Sequence, residues 1–371
     1  MKKIRVTSIL SNIDKALAFE WIAANINHNR FEMDFLLLNP GDSVLENELK
    51  SAGISVKRIL LRGKKDLPLA FLKVFWHLLW HRPRAVHCHL FEANLCGLTA
   101  AWLLRIPKRI YTRHHSTYHH QFFPAAIKYD RYNNALATTI VAITNNVKQV
   151  LIEMEQVPAK KVTIVHHGFK LADFATVPPA DIAALQRQYN PQSRRPVIGC
   201  ISRFTYWKGV QDIIAAFKSV LQTHPQALLI LANARGNYKQ EIHALLRELP
   251  EGSYLEIPFE NNLFALYQLF DVFVHVPIDN HSEAFGQTYV EAPAAGIPCV
   301  FTLSGIANDF VRNEENALVV PYQNPAAIAG AVNRLLSDNT LRERLITNAR
   351  TSVVHDFDLP VMINALEQLY S

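Results

Sequence analysis

The chain has 371 residues, 49% hydrophobic and 19% charged, which is enough to fill two cores and too apolar for disorder. Its 13 glycines never lie closer than nine residues apart, which excludes the G-x-G-x-x-G loop of dinucleotide enzymes, and Arg58 stands where a Walker A loop ending in Gly63-Lys64 needs its first glycine. The formal charge of +6 is uneven: Lys57 to Arg131 holds fourteen Lys and Arg against Asp66, Glu92 and Asp130, so that half suits an anionic partner such as phosphate, a lipid surface or nucleic acid.

The opening MKKIRVTSIL turns polar at Ser11-Asn12 and reads as a first strand rather than a signal segment. Strands are predicted at Ile4–Leu10, Asp34–Leu38, Ile54–Ile59, Ala85–Cys88, Arg109–Thr112, Thr139–Ile143 and Val162–Val165. Between the third and fourth lies Leu67–His81, apolar nearly all round, with Trp76, Trp80 and flanking cations. It fits either a helix covering the sheet or one lying in a membrane interface. A looser stretch with Pro178, Pro179, Pro191 and Pro196 surrounds a short helix near Ile182–Tyr189. The pattern then restarts at Val197–Ile201, Ala227–Ala232, Tyr254–Ile257, Val272–Val276, Cys299–Thr302 and Ala317–Val320. Strand and helix alternating twice over predict an α/β protein with two parallel-sheet, Rossmann-like domains. Cys88, Cys96, Cys200 and Cys299 have no C-x-x-C or zinc spacing and suit small buried side chains in a reduced, cytoplasmic protein. No run of eighteen apolar residues is present to span a membrane.

In such sheets ligands meet the carboxyl ends of the strands, so the loops there are the candidate sites. After Val197–Ile201, Arg203 and Lys208 can grip a diphosphate, helped by a helix beginning near Val210, or can be two plain surface cations. After Val272–Val276, Glu283 falls in the loop and Gly286 lets backbone approach a ligand. Glu291 lies one turn into a helix starting near Gln287. These two carboxylates can reach different parts of one long ligand, or serve as a cap and a buried ion pair. The run Arg113-His114-His115-Ser116-Thr117-Tyr118-His119-His120 follows another strand, where histidine can donate to sugar hydroxyls or phosphate. Metal binding by these histidines or by His87-Cys88-His89 is not expected, because it needs ligands that converge and carboxylates that orient them. Asp356-Phe357-Asp358 reads as a helix-start signal, not a metal-binding D-x-D.

Together these segments resemble glycosyltransferase family 4, retaining enzymes of the GT-B architecture. The likeness is densest at Glu283-Ala284-Phe285-Gly286 with Glu291-Ala292-Pro293-Ala294-Ala295-Gly296-Ile297-Pro298, and at Arg203 with Lys208-Gly209, which match the family's two-glutamate and R-x4-K-G patterns. Arg84-Ala85-Val86-His87-Cys88-His89, Tyr111-Thr112-Arg113-His114 and the segment ending His167-Gly168-Phe169 extend it over essentially the whole chain.

The resemblance implies a GT-B fold, two Rossmann-like domains facing across a cleft. Residues 1–170 would form the acceptor-side domain, joined by a C-terminal helix at 355–371, and residues 171–354 the nucleotide-sugar donor domain. It also implies roles: Arg203 and Lys208 would neutralise the donor diphosphate, Glu283 would hold a sugar hydroxyl, and Glu291 would bind the ribose. Phe285, Gly286 and Gln287 would place backbone beside the sugar, and His114 would contact it from the opposite domain. Asn12, Lys15 and Arg113 are further substrate-contact candidates. Three departures stand out, at Asn12-Ile13-Asp14-Lys15-Ala16, Ala232-Asn233-Ala234-Arg235-Gly236 and Gly305-Ile306-Ala307-Asn308-Asp309, where the family carries glycine-rich loops or a glutamate.

The implied activity is retaining transfer from a nucleoside-diphosphate sugar, with UDP expected, to a glycan, lipid-linked or small-molecule acceptor, without cofactor or metal. The expected setting is cytoplasmic, with peripheral contact to an anionic membrane face left open. A non-hydrolysing nucleotide-sugar epimerase and a non-catalytic nucleotide-sugar-binding subunit remain as alternatives. Nucleic acid is not expected as a partner, because the aromatics do not interleave with the basic residues.

Overall fold

The computed structural model describes residues 3–371. The chain divides into two compact units: unit 1 runs to Phe169 and includes Leu359–Ser371, and unit 2 is Lys170–Asp358.

Unit 1 is a sheet of seven strands: β1 (Ile4–Ser11), β2 (Phe31–Asn39), β3 (Ser55–Leu60), β4 (Ala85–His89), β5 (Lys108–Arg113), β6 (Thr139–Ala142) and β7 (Val162–Ile164). Their order is β3-β2-β1-β4-β5-β6-β7, and every pairing is parallel. The chain works outward from β1 through β2 to β3, crosses back, and continues from β4 the other way. Adjacent β1 and β4, in register from Val6 opposite Ala85 to Leu10 opposite His89, therefore mark a switch point where a crevice opens at the carboxyl ends.

Unit 2 repeats the plan with β8 (Val197–Ile201), β9 (Leu228–Ala232), β10 (Tyr254–Ile257), β11 (Val272–His275), β12 (Cys299–Phe301) and β13 (Leu318–Val319). Their order is β10-β9-β8-β11-β12-β13, so its switch point lies between β8 and β11. All thirteen predicted strands form. The central ones are continuous apolar runs because helices cover both faces, and β4, β8 and β9 are buried at every residue. The four cysteines are buried free thiols.

Helix Leu67–His81 covers the sheet by one stripe only, burying Ala70, Val74, His77 and Leu78, with His77 Nε2 2.8 Å from Asp34 Oδ2. The other side is solvent-facing. No helix among the described residues is long and apolar enough to cross a membrane.

The end of the chain departs from expectation. Helix Asn339–Phe357 runs through position 355, because Phe357 is buried against Phe310, 5.0 Å between centroids, and Phe285, 6.2 Å. The final helix begins only at Leu359, after an extended Asp358. It lays Leu359, Met362, Ile363, Leu366 and Tyr370 into the core of unit 1 beside Phe31, Leu37 and Val165, a 3.6-period stripe. The Leu359 N–H donates to Phe169 O at 2.9 Å, so the chain enters and leaves unit 1 at adjoining residues.

Leu366→Ala is expected to destabilise unit 1 by about 2–5 kcal/mol, the usual cost of emptying a buried leucine site. Urea unfolding followed by tryptophan fluorescence checks it, since Trp21, Trp76, Trp80 and Trp102 are in unit 1 and Trp207 in unit 2. An unshifted unit 1 transition would contradict the packing.

Candidate functional site

The crevice of unit 2 is built from the loops that follow β8 and β11. After β8 the chain runs through Ser202 and Arg203 into a single turn, Tyr206–Lys208, before helix Val210–Thr223 begins. Gly209 joins turn to helix at φ +71°, and a Cβ there would lie 1.9 Å from Val276 O, so the residue beside Lys208 must be glycine. Ile278 N donates to Trp207 O at 3.1 Å, tying the two loops together.

This closeness brings Lys208 Nζ onto the Glu283 carboxylate in a buried ion pair. Burial alone would push the Glu283 carboxyl up, but the Lys208 ammonium, the largest opposing influence, more than offsets it, and its pKa lies at about 2. His275, the last residue of β11, has Nε2 3.6 Å from the same oxygen, an electrostatic rather than a hydrogen-bonding distance. Burial lowers the pKa of His275, so near neutrality it is an uncharged neighbour. Glu283 is therefore a fixed anion that can accept hydrogen bonds and has no proton to give.

The segment after Glu283 turns sharply at Gly286, φ +80°, where a Cβ would meet the Tyr289 ring at 2.7 Å. Phe285 is buried and its carbonyl accepts from Ile306 N at 2.9 Å, whereas Gln287 is exposed at the head of helix Thr288–Ala294. One turn in, Glu291 is buried and accepts from Tyr267 OH at 2.8 Å. Burial raises its pKa to about 7, with the Tyr267 hydrogen bond opposing. A diol donating to this carboxylate would favour its charged form.

Arg203 is exposed and has no side-chain partner among the described residues. The loop after β9 lies alongside: Phe204 N donates to Arg235 O and Tyr238 N to Phe204 O, at 3.0 and 2.9 Å. Asn233 takes a left-handed φ of +59°, and its Oδ1 receives Arg235 Nε at 3.1 Å. The altered loop thus contributes another cation. Arg235, His275 and Tyr267 are site residues that the sequence patterns did not single out.

In unit 1 the loop after β1 contains no glycine. Asn12 adopts φ +53° and donates from Nδ2 to Glu92 Oε2 at 3.0 Å, across the β1/β4 switch point. The Asn39 side chain clamps Ile13 through both backbone groups, at 3.1 and 2.6 Å, and Leu45 N donates to Asp14 O at 2.8 Å. Lys15 is exposed at the rim.

His114 follows β5 and belongs to a line of imidazoles, of which His87 and His89 are buried and His114 and His167 partly exposed. His87 bonds Tyr370 OH at 2.7 Å and Thr112 Oγ1 at 2.8 Å, His89 Nδ1 meets His114 Nε2 at 3.2 Å, and His114 stacks on His167 at 5.8 Å. Burial first, then the neighbouring imidazoles, lowers the pKa of His114 to about 3. It is neutral across the physiological range and can offer a hydrogen bond but not a charge.

Arg113 corrects the expectation that it touches substrate. As the last residue of β5 it points inward, is 2% exposed, and its guanidinium is taken up by Asp130, at 3.2 Å, and Glu155. His119 Nδ1 reaches Asp130 at 2.6 Å and His120 Nε2 reaches Glu155 at 3.3 Å. Much of the histidine run therefore supports this buried pair. Among the described residues, His115, His119 and Asp130 are the one group whose donor atoms, all within 4.8 Å of one another, could hold a metal ion; Arg113 already supplies a positive charge there.

Two doubly wound sheets, one of them with a lysine–glutamate ion pair and a second buried glutamate beside its switch point, place the chain among the α/β proteins whose ligands meet the carboxyl ends of the strands. Residues 181–352 match the model described as glycosyl transferases group 1, and residues 22–173 match that of glycosyltransferase family 4. The chain belongs to this glycosyltransferase family and is a glycosyltransferase of GT-B architecture. It is 25% identical over 323 residues to the capsular polysaccharide biosynthesis glycosyltransferase CapM of Staphylococcus aureus, covering 83% of each chain. It is 30% identical over 188 residues to glycogen synthase of Mycobacterium tuberculosis, covering 48% of this chain and 44% of that one. In fold it is similar to Anabaena HepE, solved in complex with UDP and glucose, with a TM-score of 0.83, 21% identity and 98% of each chain covered.

If Glu291 holds the donor ribose, as the resemblance implies, nucleotide affinity is expected to rise with pH through about 7, because the ribose hydroxyls would select its ionised form. Below that pH binding must first expel a proton, so calorimetry in buffers of different ionisation heat should show proton release near pH 6. Affinity that is flat with pH, or unchanged in slope for Glu291→Gln, would remove Glu291 from the ribose site.

Proposed function

We propose that the protein is a retaining glycosyltransferase that moves a sugar from a nucleoside-diphosphate sugar, with UDP as the base carrier, to a cell-envelope glycan or lipid-linked acceptor. The observation that carries this reading is the buried Lys208–Glu283 pair at the β8/β11 switch point, with unpartnered Arg203 on the same loop as Lys208. HepE's complex with UDP and glucose supports the choice of donor, and the capsular role in CapM's name supports the choice of acceptor.

In this reaction the C1–O bond to the diphosphate breaks and a C1–O bond to the acceptor forms on the same face. The acceptor hydroxyl proton passes to a departing phosphate oxygen. Negative charge builds on the diphosphate, and Arg203 and Lys208 are the groups placed to meet it. Glu283, held ionised, accepts from a hydroxyl of the donor sugar and so fixes C1 in position. It is an electrostatic and positioning group. Glu291 holds the ribose diol. Unit 1, with Asn12, Lys15 and neutral His114 along its carboxyl edge, carries the acceptor side.

Arg203→Ala and Lys208→Ala are each expected to lower kcat about a hundredfold or more, the usual cost of losing one leaving-group donor. Lys208→Ala also strands a buried Glu283 charge, so Lys208→Met with Glu283→Gln separates catalysis from folding. Unchanged turnover in both single variants would overturn the diphosphate assignment.

Titration with UDP, GDP, ADP and TDP should show selective UDP binding that Arg203→Ala loses. Activity is expected to survive EDTA, since side chains provide the leaving-group charge, and the product should keep the donor's anomeric configuration. An inverted product would refute the mechanism.

A further inference from the structure

Helix Leu67–His81 hides one stripe and shows another. On its open side Leu69 is 56% exposed, Leu72 49%, Trp76 53% and Trp80 78%, a single line at helical spacing with Lys73 beside it. The crossovers β3 to β4 and β4 to β5 run in the same direction along the sheet. Their right-handedness puts this helix and Phe91–Leu103 side by side on one face. The second helix adds Trp102 and Leu103, each about half exposed.

Both helices end where β4 and β5 begin, at the edge opposite the switch-point crevice. There Arg82, Arg84 and Arg105, with Leu78, Pro83 and Pro107, line a groove of about 510 Å³. Among the described residues none of these arginines forms an ion pair. Arg5 lies at the same edge, bonding His81 O at 3.3 Å, and already takes the nearby carboxylate Glu32 at 3.0 Å. From Leu67 to Tyr129 the sequence holds one acidic residue, Glu92, and that side chain is bound to Asn12 at the other edge. The face is therefore apolar, rich in tryptophan and bordered by one sign of charge.

We propose that this face of unit 1 docks on the surface of an anionic phospholipid bilayer. The helix lies along the surface, with Leu69, Leu72, Trp76 and Trp80 in the interfacial layer. Arg82, Arg84 and Arg105 receive lipid phosphates in the groove. Indole rings favour the headgroup boundary, and clustered arginines answer its negative potential. A soluble partner of ordinary surface would bring both signs of charge, and here only its negative groups would find a match. The inference rests on this face alone and is independent of the donor and acceptor assignments.

The test is co-sedimentation of the full chain with phosphatidylcholine vesicles, with and without phosphatidylglycerol, at low and high salt. Binding is expected only with the anionic lipid and should fall as salt rises. Trp76→Ser with Trp80→Ser, and separately Arg82→Gln with Arg84→Gln and Arg105→Gln, should each weaken it more than roughly tenfold. All five positions are on the surface or groove wall, so nucleotide affinity should be unchanged, which verifies folding apart from docking. Absence of vesicle binding at low salt, or wild-type binding by both variants, overturns the proposal. Two further results do the same. One is tight binding of inorganic phosphate without vesicle binding, which marks a free-anion site. The other is self-association lost in the tryptophan variant without vesicle binding, which marks a contact between copies.

Discussion

The chemistry of unit 2 depends on one electrostatic constraint, a lysine and a glutamate buried together where two strands leave the sheet in opposite topological directions. A carboxylate taken out of water costs several kcal/mol unless a cation sits against it. Lys208 meets that need, and Gly209 lets it, because any larger residue would strike Val276. The pair thereby locks the loop after β8 to the loop after β11. The turn at Gly286 and helix Thr288–Ala294, which carries Glu291, come directly after that joint in the chain. The two glutamates end in opposite electrical states: one is forced to stay ionised, the other is poised near neutrality with only a tyrosine hydroxyl for company.

Unit 1 solves a different problem with a similar sheet. Its carboxyl edge is crowded with histidines, yet burial keeps His87, His89 and His114 uncharged, and the charge lies deeper, in Arg113 with Asp130 and Glu155. Part of the positive balance of this half is expressed at its other edge, on Arg82, Arg84 and Arg105.

The strand pattern was legible because strands covered on both faces, such as β8 and β9, are unbroken apolar runs, and thirteen short apolar or β-branched stretches alternating with helical segments leave few alternatives. The motif residues of unit 2 were legible because Arg203, Lys208, Glu283 and Glu291 lie in two short stretches. What those residues touch was not. His275 reads as one more strand residue, and Tyr267 as ordinary core, until folding sets them against Glu283 and Glu291. Arg113 misled for a physical reason: side chains alternate along a strand, so the residue just before His114 faces the interior, and its partners come from distant helices. The replaced glycine loops were visible as departures. Only the backbone shows that Asn12 and Asn233 adopt left-handed conformations within those loops.

The closing helix, Leu359–Tyr370, gives the molecule a sense of time. Unit 2 is one uninterrupted stretch of chain, whereas the core of unit 1 lacks five of its buried side chains until residues beyond Asp358 have been made. On a ribosome, where domains fold as units while the chain emerges, the unit whose first strands precede unit 2 is the one completed after it. Unit 2 can then reach its native form while unit 1 still exposes an unfilled apolar groove. The interval between those two events is when the chain has most need of a chaperone.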